Sequence, residues 1–148
     1  MTTNAERAGA LVRALRAGLE GDGDAIRALC TDDVKAWTPA LSAASADELE
    51  AELARRDDAF SDLALDVAPL DVGGDYACVE WCVTMTHSGR LVLGDGMIVE
   101  PTGLRISLNG ATVAEFRGER ICSLRQYWDE VAVLEQLGVL SSEEGDGG

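Results

Sequence analysis

The sequence predicts an α+β domain in which a cone-shaped, curved antiparallel sheet wraps around N-terminal helices and leaves an internal cavity. Three observations lead to this fold class. Apolar residues recur at helical spacing in about the first 60 residues, and from Leu63 they alternate with polar residues as in strands. Glycine-containing turns then join consecutive strands, which is typical of hairpins. Helices followed by antiparallel strands are α+β, and a glycine-bent sheet closed by helices encloses a conical cavity.

Three helices are predicted first, each with its own start signal. The segment Thr3–Glu6 forms a capping box at the start of the first helix. Asp24 is expected to cap a short second helix, and Ser45 with Glu48 forms a capping box for the third. The apolar side of the third helix is expected to carry Leu49, Leu53 and Phe60.

A series of strands follows, and a helix ends the pattern. Asp129 is expected to cap this last helix, which ends at Gly138 and buries Val131, Leu134 and Leu137. The predicted strands, separated by turns at 72–75, 94–96 and 118–119, cover Leu63–Val67, Tyr76–His87, Leu91–Leu93, Met97–Val99, Leu104–Arg117 with a bend at Gly110, and Arg120–Trp128.

Length and charge narrow the classes of function. A chain of 148 residues favours one domain, here 1–140, and the acidic segment 141–148 is expected to be disordered. The formal net charge of −15 argues against binding nucleic acid or an anionic membrane. No apolar run reaches the ~18 residues of a membrane span, and no signal peptide is apparent, so we expect a cytoplasmic location.

The residue types that bind metals or form disulfides are sparse. The four cysteines show no CxxC spacing, so small buried residues in a reducing compartment are the favoured interpretation. His87 is the single histidine, and the carboxylates do not follow a calcium-loop pattern. We therefore predict no metal site and no cofactor.

Four segments and their order resemble the SnoaL-like polyketide cyclase group of the nuclear-transport-factor-two-like superfamily. They are Ala59–Leu63, Thr86–Gly89, Pro101–Gly103 and the C-terminal block from Gly118 to Gly138. The resemblance implies the conical fold and a pocket for a small hydrophobic molecule, polyketide- or terpenoid-like. Cyclases of this group use an aspartate on the last strand as general acid/base, with a histidine on the preceding strand. Gln126 stands at the aspartate position and Thr112 at the histidine position, and a glutamine amide cannot exchange a proton near neutral pH.

The remaining side chains suggest other catalytic and ligand-binding groups. His87 is the predicted proton carrier, because its ordinary pKa lies near neutrality. Asp129 is either a catalytic carboxylate or only a helix cap, and Glu80 is either a buried base or part of the outer sheet face. Catalytic candidates are thus His87, Gln126 and Asp129, and the predicted ligand-binding residues are Trp37, Trp81, Thr112, Leu124 and Trp128.

The register of the last hairpin leaves one alternative open. If Gly118-Glu119 is a two-residue loop, Ala111 lies opposite Gln126, and Thr112 and Gln126 point to opposite faces. A bulge near Gly110 would return them to one face.

Two functions follow from these observations. The first is a cofactor-free enzyme that cyclises or isomerises a small hydrophobic molecule by proton transfer. The alternative is a non-catalytic ligand-binding or dimeric accessory module without the acid/base pair. In both cases we expect a homodimer packed through the sheet.

Overall fold

The computed structural model describes residues 3–54, 58–70, 73–93 and 96–139, and it confirms the α+β class. The helices are α1 (Asn4–Glu20), α2 (Gly23–Leu29), α3 (Ala46–Ala54) and α4 (Glu130–Gln136). The strands are β1 (Cys30–Trp37), β2 (Ser42–Ala43), β3 (Phe60–Leu70), β4 (Tyr76–His87), β5 (Leu91–Val92), β6 (Ile98–Val99), β7 (Arg105–Arg117) and β8 (Arg120–Trp128).

Six of these strands form one sheet in the order β2-β1-β8-β7-β4-β3. The predicted hairpin between β7 and β8 is confirmed, with a turn at Gly118-Glu119, and β5 pairs with β6 in a separate antiparallel hairpin. One pair differs from the expected antiparallel pattern, because β1 runs parallel to β8. These two strands lie far apart in the sequence, so no short turn dictates their relative direction.

The chain divides into two compact units. Unit 1 consists of residues 1–56, 67–81 and 110–127, and unit 2 consists of 57–66, 82–109 and 128–148. In unit 1 the most deeply buried side chains include Leu11, Val34, Val79, Thr112, Ala114 and Ile121. In unit 2 the buried side chains include Ala59, Val83, Met85, His87, Ile106 and Val133.

Local capping explains where the helices begin. The capping box at Thr3 and Glu6 is confirmed in both directions, and Asp129 caps α4 through a bond from the Ala132 N–H to its carboxylate. The second helix is capped by Asp22, so the prediction of Asp24 was wrong. Gly21, in the left-handed conformation, ends α1 directly before Asp22. Asp24 therefore lies in the first turn of α2, where its negative charge interacts favourably with the helix dipole.

Two predicted positions on helices were also wrong. Phe60 begins β3 and does not lie on α3, because the Ala59 carbonyl accepts hydrogen bonds from the backbone N–H groups of Ser88 and Gly89. Val131, in the first turn of α4, is 52% exposed and Leu134 is half-buried, whereas Val133 and the C-cap residue Leu137 are buried.

Some predictions lie outside the described residues. They are residue 72 of the turn at 72–75, residues 94–95 of the turn at 94–96, and the acidic tail 141–148. Within the described ranges, no helix has the length and apolar character needed to cross a membrane.

Candidate functional site

Three of the resemblance segments meet in unit 2 although they are far apart in the sequence. The backbone of His87 pairs with the 101–104 segment, since its N–H donates to the Leu104 carbonyl and its carbonyl accepts from the Gly103 N–H. The Ala59 carbonyl accepts from Ser88 and Gly89, and the hydroxyls of Ser61 and Ser88 are 2.6 Å apart. Each segment is weak evidence alone, but together they build one cluster around His87.

Gly89 is required for this close packing. A Cβ atom at this position would overlap the Asp58 carbonyl oxygen and would lie 3.2 Å from the Ala59 Cα. Backbone atoms cannot move aside as easily as a flexible side chain, so only glycine lets the strand end approach this closely. The start of β3 is thereby held against the end of β4.

The imidazole of His87 is held in one orientation. The side chain is 0% exposed, and the ring packs against Phe60 with centroids 5.5 Å apart. Its Nδ1 lies 3.0 Å from the Thr102 hydroxyl oxygen and accepts the Thr102 backbone N–H at 3.2 Å. The ring Nε2 is buried, and no hydrogen-bond partner for it exists among the described residues.

A second polar cluster lies in unit 1 and joins three predicted site residues. The indole N–H of Trp81 donates to the Thr112 hydroxyl at 2.9 Å, and that hydroxyl donates to Gln126 Oε1 at 3.1 Å. Trp81 and Thr112 are buried, and Gln126 is half-buried. Because Oε1 accepts from Thr112, the other end of the Gln126 amide is its NH₂ group, a donor of two hydrogens.

The pairing of β8 with β1 explains why Thr112 and Gln126 meet. Cys30 pairs with Ile121, and Ala36 pairs with Leu124. Cys30 and Ala36 are both buried and lie six residues apart, whereas their partners lie three residues apart. An even separation keeps two residues on one face of a regular strand, and an odd separation does not. The register is irregular between Cys30 and Lys35, so the alternation of β8 changes phase before Leu124. This phase change turns Gln126 to the face that carries Thr112, whereas a bulge near Gly110 stays a prediction.

Gly110 has a different role in unit 1. A Cβ atom there would lie 2.5 Å from Cη2 of Trp81, closer still to Cζ2, and 2.5 Å from the Tyr127 carbonyl oxygen. These separations are far below ordinary van der Waals contact, so the absence of a side chain makes room for the indole. Gly110 therefore positions the Trp81–Thr112–Gln126 chain.

The other predicted residues do not join these clusters by a described hydrogen bond. Trp37 is 45% exposed and stacks against Tyr127 at 5.3 Å. Since Trp37 pairs with Arg125, it lies on the opposite face of the sheet from Gln126. Leu124 is half-buried on the Gln126 side, and the Trp128 indole donates to Glu130. Ligand contact by these residues stays a prediction.

The structure bears on the two interpretations offered for each of the carboxylates Asp129 and Glu80. Asp129 caps α4 through Oδ1, which confirms the helix-cap interpretation, whereas its catalytic role stays a prediction. Glu80 is exposed on β4, between the buried residues Val79 and Trp81, which confirms the outer-face interpretation.

The ionisable groups of the core offer little further chemistry. Burial raises the pKa of the Cys30 thiol to about 11, so this thiol stays protonated and unreactive at neutral pH. Across the described residues, no group of three or more His, Cys, Asp or Glu side chains is arranged to hold a metal ion.

Sequence reasoning missed three residues that shape these clusters: Phe60 and Thr102 beside His87, and Gly110 beside Trp81. A signal existed for the first two, because both belong to segments that carry the family resemblance. Nothing in the sequence shows that these segments touch, since more than ten residues separate each from the next.

Comparisons with known proteins agree with the fold. The family model for SnoaL-like polyketide cyclases matches residues 9–137. AclR of Streptomyces galilaeus, a candidate hydroxylase, is 24% identical with a TM-score of 0.73, over 94% of this chain and 85% of that chain. IdmH of Streptomyces antibioticus, a candidate polyketide cyclase, is 20% identical with a TM-score of 0.72, over 90% and 99%.

A third similar structure names the fold itself. This protein of Catenulispora acidiphila, with a ketosteroid isomerase-like fold, is 18% identical with a TM-score of 0.69, over 88% of this chain and 92% of that chain. A comparison with curated protein sequences found no match. At these identities the similar structures establish the shared fold alone.

Proposed function

This chain belongs to the SnoaL-like polyketide cyclase family, and from that premise we propose that it binds a small hydrophobic molecule that carries a carbonyl or hydroxyl group. The ligand would be polyketide- or terpenoid-like. In this proposal Gln126 orients the ligand through its amide and does not act as a general acid or base.

The observation that carries the proposal is the hydrogen-bond chain from Trp81 through Thr112 to Gln126. By the family resemblance, Thr112 and Gln126 stand at the two positions where cyclases of the family carry their histidine and aspartate. The Thr112 hydroxyl donates to Gln126 Oε1, which leaves the amide NH₂ as the donor that this proposal assigns to the ligand. An NH₂ group favours a ligand oxygen that accepts hydrogen bonds, such as a ketone.

A second candidate function is proton-transfer catalysis, such as cyclisation or isomerisation. The unpartnered ring nitrogen of His87 favours it, because a buried polar group without a partner is uncommon away from functional sites. The base for this reaction would have to be a group other than Gln126.

The experiment compares two flat probes, 2-acetylnaphthalene, whose ketone only accepts hydrogen bonds, and 2-naphthol, which also donates one. Binding is measured by calorimetry to wild type, Gln126→Leu and Gln126→Glu. For Gln126→Leu we expect weaker binding of the ketone by about 0.5–1.5 kcal/mol, the value of a neutral hydrogen bond. Arg125→Leu is the matched control, because it places the same side chain on the neighbouring, exposed position.

Gln126→Glu makes the test sharper because it preserves the shape of the side chain. A carboxylate oxygen still accepts from Thr112, but the NH₂ donor is replaced by an acceptor. We therefore expect the ketone to lose affinity and 2-naphthol to keep it or gain. If Gln126→Leu and Arg125→Leu bind both probes like wild type, Gln126 does not contact the ligand.

Catalysis is tested with the same ketone. Exchange of its methyl protons for deuterium, followed by NMR in heavy water, reports proton removal next to the carbonyl. We expect no acceleration by wild type and a measurable one by Gln126→Glu. Acceleration by wild type would instead favour the second candidate.

A further inference from the structure

The buried Nε2 atom of His87 is the feature that neither cluster explains. The imidazole is 0% exposed, its other nitrogen is bonded to Thr102, and Nε2 has no partner in the part of the chain that the structure describes. A buried polar atom without a partner destabilises a fold, so a fold retains one only where something compensates.

The contacts of Nδ1 determine what Nε2 can do. A backbone N–H can only donate, so Nδ1 must accept the bond from Thr102 and carries no proton in the neutral ring. The Thr102 hydroxyl accepts the Leu104 N–H at 3.2 Å, which leaves its own hydrogen free to point at Nδ1 as well. The neutral imidazole therefore carries its proton on Nε2, and the unpartnered group is an N–H donor.

The surroundings limit how a ligand reaches this donor. The half-buried Phe60 ring is tilted 42° against the imidazole. Its neighbours are held by hydrogen bonds: the Ala59 carbonyl accepts from the Ser88 and Gly89 N–H groups, and the Ser61 hydroxyl bonds to that of Ser88. The Phe60 side chain can therefore rotate while the hydrogen bonds of its neighbours Ala59 and Ser61 stay in place.

We propose that the Nε2–H of His87 donates a hydrogen bond to an acceptor oxygen of the ligand, a ketone or enolate oxygen, and that the Phe60 ring moves aside when the ligand binds. The inference rests on the proposed function and specifies one ligand group for the same protein. In this proposal His87 acts as a donor that binds and orients an oxygen, whereas its role as a proton carrier stays a prediction.

The single histidine makes the test direct, because every histidine signal in a ¹⁵N NMR spectrum belongs to His87. In the free wild-type protein we expect Nε2 to be the protonated nitrogen and Nδ1 the unprotonated one. A proton on Nδ1 would overturn the inference without any ligand experiment.

The ligand step uses 2-acetylnaphthalene and its oxygen-free analogue, 2-isopropylnaphthalene. We expect the wild-type protein to prefer the ketone, with roughly 2- to 12-fold of the preference coming from each neutral hydrogen bond to its oxygen. The ketone alone should shift the Nε2 signals, together with those of the Phe60 ring. Binding of the ketone with unchanged Nε2 signals refutes the His87 inference and leaves the proposed function intact, whereas binding of neither probe refutes both. If the ketone shifts the Nε2 signals but not those of the Phe60 ring, the proposed displacement of the Phe60 ring is wrong.

Two variants separate the donor from the ring. His87→Phe keeps an aromatic ring against Phe60 without the donor, and it should lower the preference for the ketone by roughly 2- to 12-fold, the contribution of one neutral hydrogen bond. His87→Gln places an amide N–H at the position of Nε2 and should keep part of the preference. Equal preference in wild type and a folded His87→Phe variant contradicts the inference, and the wild-type spectra decide the question if neither variant folds.

Discussion

Replacing Gly110 with alanine tests the packing on which the Trp81–Thr112–Gln126 chain depends. The added Cβ would lie 2.5 Å from both Trp81 Cη2 and the Tyr127 carbonyl oxygen. The indole cannot turn away freely, because it is buried and its N–H is bonded to Thr112. We therefore expect both overpacking strain and loss of that hydrogen bond.

The magnitude follows from these two terms. Overpacking a core costs about 1–3 kcal/mol and a neutral hydrogen bond about 0.5–1.5 kcal/mol, so Gly110→Ala should lower the free energy of unfolding by roughly 2–4 kcal/mol. For a chain of this size, that corresponds to a fall in melting temperature of roughly 5–15 °C. Chemical denaturation followed by tryptophan fluorescence measures the change.

Gly18→Ala is the matched control for the same chemical change. Gly18 lies inside α1, and a Cβ there meets nothing within 4 Å, so alanine should stabilise the helix by about 0.5–1 kcal/mol. Trp81→Phe removes part of the overlap, and its cost should be smaller in the Gly110→Ala background than in wild type. A Gly110→Ala variant as stable as wild type would refute the close approach of the indole.

Three further predictions concern the whole fold. Burial raises the pKa of the Cys30 thiol to about 11 in the folded protein, from its ordinary value of 9.0 in the unfolded chain. The unfolded chain therefore loses this proton first, and the free energy of unfolding should fall by about 2–3 kcal/mol between pH 9 and pH 11. Denaturation at several pH values should show this decline in wild type, and a decline of equal size in Cys30→Ala would contradict the assignment. The net charge of −15 should make sodium chloride stabilising, since the screening length falls from ~30 Å at 0.01 M to ~8 Å at 0.15 M. A melting temperature that drops over this range refutes the argument. The β4 face that alternates Tyr76, Cys78, Glu80, Cys82 and Thr84 with buried residues should mediate a homodimer, and sedimentation of a monomer alone at micromolar concentration would exclude it.

The sequence by itself determined the α+β class, the family and most strand bounds. Its signals there are local: period-two alternation identified β4 as Tyr76–His87, and the turn at Gly118-Glu119 separated β7 from β8. The capping box at Thr3 and the bond from the Glu48 N–H to the Ser45 hydroxyl likewise act within four residues of the helix start. Such patterns depend on neighbouring residues, so they can be interpreted without the rest of the chain.

Only the tertiary structure decided how the candidate residues combine. The face of Gln126 depends on an irregular pairing with β1, about 90 residues earlier in the sequence, and hairpin arithmetic alone placed it on the wrong side of β8. The proton on His87 Nε2 depends on Thr102, and the place of Phe60 depends on backbone bonds from Ala59 to Ser88 and Gly89. These are contacts between segments that are distant in the chain, and no periodicity or spacing encodes them, because they are set by register and packing in three dimensions.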